Sequence, residues 1–152
     1  MAILKIAQLG HPVLRQPSQP VDPVLIPTAA FQRFCDDLLE TMDEYDGAGL
    51  AAPQVHVPLR VVVLTLAKSR GPEFMINPVI TPLTGELASE IEGCLSVDGL
   101  RARVWRPRHI RVQFLDRQGE ERIYELRGFA AVITQHECDH LDDVLFVDRC
   151  DT

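Results

Sequence analysis

The segment that follows Gly128 constrains the fold most, because its apolar residues recur with helical period and it contains a His-Glu-x-x-His pattern. On a helix, His136 and His140 lie on one face with Cβ atoms about 5–6 Å apart, so both rings can reach one metal ion. Glu137 lies beside them, within reach of a water on that ion without being a ligand. The alternative is a solvated helix that carries two histidines by chance. A third ligand would separate the two interpretations.

The end of the chain limits where a third ligand can come from, since catalytic metals usually take three protein ligands and keep one position open. In metzincins the third ligand is a histidine six residues after the second, with a glycine between them. Here those two positions hold Phe146 and Asp143. Only twelve residues follow His140, too few for a later helix that carries a ligand. The third ligand is therefore expected upstream.

Cys94 is the strongest upstream candidate. It lies in Glu-Gly-Cys-Leu-Ser, where Gly93 allows close approach of the backbone and no apolar stripe explains the thiol. A thiolate with two imidazoles suits Zn²⁺ or Fe²⁺. Cys35 lies on an apolar helical stripe and is better interpreted as a buried thiol. A carboxylate remains an alternative, as do the histidines that neighbour prolines in loop-like segments, which are His11, His56 and His109.

The remaining pattern predicts an α+β fold with mostly antiparallel strands around the helix that carries His-Glu-x-x-His. Prolines up to Pro27 predict an extended arm, and Thr28 is the expected N-cap of an amphipathic helix. Strands are expected at 59–66 and 73–80, and a hairpin at 110–126 with its turn at 116–119. We expect residues 1–152 to form one domain.

Composition restricts the class of protein. Hydrophobic residues make up 46% of the chain and charged residues 24%, as in soluble globular domains. The net charge of −7 argues against a nucleic-acid-binding role, although 101–111 is locally basic. Four separated cysteines without a Cys-x-x-Cys pair indicate a reducing compartment, and no signal peptide or membrane span is recognisable. We expect a cytosolic protein.

Three segments together resemble the peptide deformylases: Gly-Ala-Gly-Leu-Ala-Ala-Pro-Gln (47–54), Glu-Gly-Cys-Leu-Ser (92–96) and Gln-His-Glu-Cys-Asp-His (135–140). The resemblance extends to nearly the whole chain and implies removal of the formyl group from N-terminal formyl-methionine of new polypeptides. It implies one divalent metal held by Cys94, His136 and His140. Fe²⁺ is then the expected native ion, and Zn²⁺, Ni²⁺ or Co²⁺ can occupy the site. Metal-bound hydroxide would attack the formyl carbon, with Glu137 as general acid and base.

The resemblance also assigns roles to other residues. Gln54, through its side-chain amide, and Leu95, through its backbone N–H, would stabilise the oxyanion. The substrate main chain would lie against the 47–49 segment like an added strand. The residues implied in substrate binding are Gly47, Ala48, Gly49, Gly93, Arg101, Phe129, Val132 and Ile133, and the last three would form the methionine pocket with Ala48 and the face of His136. Asp139 either holds a ligating imidazole or only caps a surface.

Three positions depart from the family pattern. Asp143 replaces a glycine, Asp98 stands where proline is common, and Glu90 falls where an apolar residue is common near the methionine pocket. The chain also ends soon after Leu-Phe-Val-Asp-Arg, whereas many bacterial relatives continue into a helix that docks on ribosomes, so we expect no docking by that route. The resemblance further implies a monomer in the cytoplasm of a bacterial or phage-infected cell, with an organellar origin as the alternative. The alternative functions are a metallopeptidase or amidohydrolase with another substrate preference, and an inactive peptide-binding relative.

Overall fold

A computed structural model describes residues 2–150. Seven strands and two α-helices form an α+β fold, which confirms the predicted class. Five strands form an antiparallel sheet in the order β1-β2-β3-β6-β7, and β4 and β5 form a separate two-stranded sheet. The elements are α1 (Ala29–Glu44), β1 (Gly49–Ala51), β2 (Val61–Leu64), β3 (Glu73–Pro82), β4 (Leu87–Cys94), β5 (Val97–Pro107), β6 (His109–Leu115), β7 (Glu121–Arg127) and α2 (Gly128–Leu141).

Helix α1 begins as the sequence predicts. The Thr28 hydroxyl accepts a hydrogen bond of 3.2 Å from the backbone N–H of Phe31, which satisfies one free donor of the first turn. The apolar stripe packs into one core cluster with Leu50, Val61 and Val63 of the sheet. Cys35 lies on this stripe and is fully buried, which confirms its interpretation as a structural thiol.

Two predicted strands have different bounds in the structure. The strand expected at 59–66 is only Val61–Leu64, because Leu59 forms a separate bridge with Gln19 of the N-terminal arm. The strand expected at 73–80 continues to Pro82, with an irregular register between Ile76 and Val79. Asn77, within that irregularity, has a left-handed φ of 53°. The apolar pattern therefore predicted both strands correctly, whereas their ends depend on pairing within the sheet.

The N-terminal arm fixes the segments that carry the predicted site. It is extended, with short 3-10 turns at Pro12–Arg15 and Pro23–Leu25. The N–H of Ala7 donates to the carbonyl of Gln54 over 2.6 Å, and the N–H of Leu9 donates to the carbonyl of Ser96 over 2.7 Å. The arm thus ties two distant loops to each other. Neither α1 nor α2, the two α-helices of residues 2–150, is long and apolar enough to cross a membrane.

Candidate metal centre

Cys94, His136 and His140 form the one cluster of three or more potential metal ligands within residues 2–150. Cys94 ends β4, while the two histidines lie one turn apart on α2. One ligand atom from each residue lies within 4.8 Å of the other two, and Cys94 Sγ is 3.3 Å from His140 Nε2. The structure therefore brings together the three residues that the sequence selected.

The competing candidates lie elsewhere. His11 and His56 are exposed and contact each other, with ring centroids 4.6 Å apart. The ring of His109 lies 3.5 Å from a carboxylate oxygen of Glu125. Cys138, although inside the helical motif, is buried away from the cluster. These positions exclude the three other histidines as third ligands.

A buried carboxylate orients one of the two ligating rings. His136 Nδ1 lies 2.8 Å from Glu92 Oε1, so Nε2 is left to face the cluster. Of the two roles that the sequence left open for Asp139, the structure excludes the one in which it holds an imidazole. Asp139 accepts hydrogen bonds from Arg106 over 2.8 Å and from Arg149 over 2.6 Å instead. Glu92 lies on β4, the strand that also carries Cys94, whereas Asp139 lies on α2 and binds two arginines.

Arg106 connects the two carboxylates and was not singled out from the sequence. Arg106 is only 3% exposed. Its guanidinium donates to both carboxylate oxygens of Glu92 over 2.7 and 2.9 Å. Its third bond reaches Asp139, so one buried cation joins β4 to α2. The signal in the sequence was weak, because Arg106 lies in a stretch with several other arginines. Within β5, Arg106 is the one arginine on the inner face, but the pairing of that strand is needed to recognise this.

The electrostatics of the cluster favour a cation. Burial lowers the pKa of His136, but hydrogen bonds to Cys94 and Glu92 outweigh it and raise that pKa to about 10. Burial also raises the pKa of Glu92, yet Arg106 and His136 reverse the effect and bring it to about 2. His140 has its pKa lowered by burial, which keeps its ring neutral as metal ligation requires. The anionic surroundings of His136 would equally attract a divalent ion.

Glu137 is buried beside the cluster without becoming part of it. Its residue is 3% exposed, and its Oε2 has no hydrogen-bond partner among the described residues. Its Oε1 is 3.9 Å from His136 Nε2. Burial raises the pKa of the carboxyl to about 7. Gly49 makes room for this side chain, since a Cβ at position 49 would lie 2.7 Å from Glu137 Cγ.

Gln54 has its amide fixed at both ends. Its Oε1 accepts from the N–H of Ala51 over 2.9 Å, and its Nε2 donates to Ser96 Oγ over 3.0 Å. The same Nε2 is 3.4 Å from Cys94 Sγ. The donor end of the amide therefore faces the ligand cluster. Leu95 forms the turn after Cys94, and its carbonyl accepts a hydrogen bond of 2.9 Å from the side chain of Gln8.

Two strand edges without neighbours flank the cluster. Among the described strands, β1 pairs only with β2, and β4 pairs only with β5. Both edges have glycines beside them, Gly47 just before β1 and Gly93 on β4, so no side chain projects there. A Cβ at Gly47 would lie 3.0 Å from Leu95 Cδ1, and one at Gly93 would lie 3.3 Å from a terminal nitrogen of Arg101. The edges leave space in which an extended peptide could pair with main-chain groups.

The predicted pocket residues of α2 are accessible to different degrees. Phe129 is 59% exposed, Val132 is partly buried, and Ile133 is packed in the core at 9% exposure. Together with His136 they recur at helical spacing and share one broad face. Ala48, on the β1 side, is exposed. The face is thus apolar and open at its N-terminal end.

A Cys-His-His cluster with two buried histidines and a half-buried cysteine, beside a helical glutamate in this α+β fold, defines a metal-dependent hydrolase. A sequence model described as polypeptide deformylase matches residues 3–152. The chain belongs to the polypeptide deformylase family, the metallohydrolases that remove the N-formyl group from nascent polypeptides.

Individual relatives agree along nearly their whole length. The peptide deformylase of Stutzerimonas stutzeri is 47% identical over 151 residues, which is 97% of this chain and 87% of the relative. A crystal structure of the Thermotoga maritima enzyme superposes with a TM-score of 0.93 at 36% identity and covers both chains completely. The actinonin-bound enzyme of Acinetobacter baumannii gives 0.92 at 35% identity, covering 99% of this chain and 100% of that one. A further structure of that enzyme, with Met-Ala-Ser bound, gives 0.91 at 33% identity over 97% and 98%.

Proposed function

We propose that Cys94, His136 and His140 hold one divalent ion, with Fe²⁺ as the native metal and Zn²⁺, Ni²⁺ or Co²⁺ as substitutes. The donor set supports this, since one thiolate and two imidazoles suit these ions and the three donor atoms already converge. The carboxylate on His136 Nδ1 supports it further, because such a bond fixes the ring and raises its basicity as a ligand. When bound, the ion would supply a Lewis acid that makes hydroxide available near neutral pH.

Glu137 is the proposed proton carrier. It takes the proton from the attacking water and returns it to the departing amine nitrogen of the substrate. Its support is geometric: the carboxylate is buried, one oxygen has no partner within the described chain, and the other faces the His136 ring. Contact with Gly49 and burial hold it in one place, so little reorganisation is needed during proton transfer.

Gln54 and Leu95 are the proposed oxyanion donors. As water adds to the formyl carbon, negative charge collects on the former carbonyl oxygen, and the Gln54 amide and the Leu95 backbone N–H donate to it. The fixed orientation of Gln54 supports this role, because Ala51 holds its oxygen and leaves the nitrogen towards the cluster. Loss of one such donor typically costs about 10²–10³ in rate.

The substrate main chain is proposed to lie as an extra strand between the free edges of β1 and β4. The glycines at both edges support this placement, because they have no side chain that would block a peptide. The exposed Arg101 lies over Gly93, where its guanidinium can contact the peptide. The methionine side chain would then lie against the apolar face of α2. The proposed binding residues on these elements are Gly47, Ala48, Gly49, Gly93, Arg101, Phe129, Val132 and Ile133.

We further propose that residues 1–152 act as one domain and as a monomer in the bacterial cytoplasm. Contacts of α2 with strands of both sheets support the single domain. Bacterial relatives support the compartment. The substrate is a formyl-methionyl peptide or nascent chain, in keeping with the Met-Ala-Ser that occupies the Acinetobacter relative.

The decisive experiment measures formate released from formyl-Met-Ala-Ser by anaerobically purified protein whose bound metal has been counted. We expect one metal per chain and steady turnover, and a loss of turnover without loss of metal in Glu137→Gln. Unformylated Met-Ala-Ser serves as the control for general peptidase activity. One bound metal with no formate released, or equal rates for the wild type and Glu137→Gln, would refute the proposed mechanism.

A further inference from the structure

An unpaired carboxylate, that of Glu90, lies on β4, the strand whose unpaired edge is the proposed site of peptide binding. Glu90 is exposed, and no hydrogen bond or ion pair joins its side chain to another described residue. Alternate residues of a strand share a face. Glu90 therefore points to the same side as Glu92, whose carboxylate reaches His136 on α2. This acid faces the groove and not the outer surface of the hairpin.

Nearby cations do not neutralise Glu90. Its partner across the hairpin is Val104, which is buried and apolar. Arg103 pairs with Ile91, on the opposite face of the strand, and donates to Ser89 over 2.8 Å. Arg106 is on the inner face, but Glu92 and Asp139 occupy its donors. The Glu90 charge is thus available to a ligand.

The register of a bound peptide follows from the direction of β4. This strand runs from Leu87 to Cys94, so a peptide whose formylated end lies at Cys94 and which extends along the strand runs antiparallel to it. Residues of extended chains are about 3.4 Å apart, which places the first and third residues about 7 Å apart on one face. Glu92 and Glu90 have the same spacing. With methionine at the level of Glu92, the third side chain lies at the level of Glu90.

We propose that Glu90 makes this deformylase prefer substrates with lysine or arginine as the third residue. This inference rests on the proposed strand-like binding of formyl-methionyl peptides. The long stem of lysine lies along the apolar groove while its ammonium group pairs with the carboxylate. An acidic third residue is disfavoured by repulsion, and the second side chain points to the opposite face and does not meet Glu90.

The test compares kcat/KM for formyl-Met-Ala-Lys, formyl-Met-Ala-Ser and formyl-Met-Ala-Glu, with formyl-Met-Lys-Ala as the register control. Lysine at the third position should raise kcat/KM about threefold over serine, the size expected of an exposed ion pair. Glutamate should lower it by a similar factor, and both effects should fade in high salt. In Glu90→Gln the three third-position peptides should become equivalent. Glu120→Gln, which removes an exposed carboxylate beside the far edge strand β7, should keep the preference.

An unchanged lysine preference in Glu90→Gln overturns the inference, as does an equal preference for lysine at the second position. Failure of the proposed function has a separate signature, which is no formate from formyl-Met-Ala-Ser by the metal-loaded wild type. In that event, calorimetric Kd values for Met-Ala-Lys and Met-Ala-Ser still test Glu90. The same threefold ratio, lost in Glu90→Gln, supports the inference, and equal Kd values overturn it.

Discussion

Replacing Gly49 with alanine should disable the enzyme by displacing Glu137. The added Cβ would lie 2.7 Å from Glu137 Cγ and 2.8 Å from its Oε1. Nonbonded carbon atoms prefer about 3.5–4.0 Å, so one group must retreat by about 1 Å. The backbone cannot do so easily, since Leu50 and Ala51 beside it are fully buried in the core. The carboxylate therefore moves, although it is itself buried.

The size of both effects follows from this contact. A displacement of about 1 Å of a catalytic group can cost about a hundredfold in rate, and we expect that loss in kcat. Overpacking costs about 1–3 kcal/mol, and the reduced freedom of the unfolded chain returns about 0.4–1 kcal/mol, because φ at position 49 is not in the left-handed region. The middle of both ranges gives a net cost of about 1.3 kcal/mol, which corresponds to a decrease in Tm of about 3–5 °C.

The assay combines formate release, metal content and thermal unfolding. Gly85→Ala is the matched control, because a Cβ there meets nothing within 4 Å. The same Gly49→Ala change in a Glu137→Ala background removes the colliding atoms, so most of the Tm penalty should vanish. If the penalty is equally large in both backgrounds, or if Gly49→Ala keeps full kcat, contact with Glu137 is not what requires glycine at position 49.

Three further outcomes are expected. Arg106→Met should destabilise the fold by about 3–5 kcal/mol in urea unfolding, because it leaves Glu92 buried without its cation. The same change should weaken metal binding about 10–100-fold in chelator competition. Unchanged metal affinity would argue against an orienting role of Arg106. Asp143→Gly should gain about 0.5–1 kcal/mol and Asp143→Ala should lose stability, since φ there is 57°; equal Tm values for all three proteins would contradict this. Iodoacetamide should label Cys94 after chelation but not in the metal-loaded protein. Cys35 should stay unlabelled in both, because it is buried and burial raises its pKa to about 11. Peptide mass spectrometry checks both sites.

The sequence predicted the parts of the molecule that have a strong local signal. The period of α1, its Thr28 cap and the His-Glu-x-x-His helix were all readable from spacing. The context of Cys94 made it the strongest candidate, since apolar periodicity explained Cys35, and the resemblance to the peptide deformylases implied it as the third ligand. Asp143, which stands where the family has a glycine, has a left-handed backbone.

The β4–β5 hairpin and its ion pairs were not predicted, and the reason is physical. An exposed two-stranded sheet mixes apolar and charged residues on both faces, so its pattern has no clear period. Glu92 as the partner of His136 could not be predicted, because it depends on a tertiary contact between residues 44 positions apart. Similarly, the need for glycine at position 49 arises from direct contact with Glu137 of α2, which local turn chemistry does not reveal.

The division of the ligands between two elements has a mechanical consequence. Cys94 and His140 are 46 positions apart in the sequence, and one ends the two-stranded sheet while the other lies on the central helix. An ion held by both therefore acts as a cross-link that closes a long loop, as a disulfide does, and its binding energy contributes to folding. This cross-link would add to the contacts of Arg106 and Glu92 that already join the hairpin, one wall of the proposed groove, to α2. Loss of the ion would thus loosen the wall as well as stop the reaction.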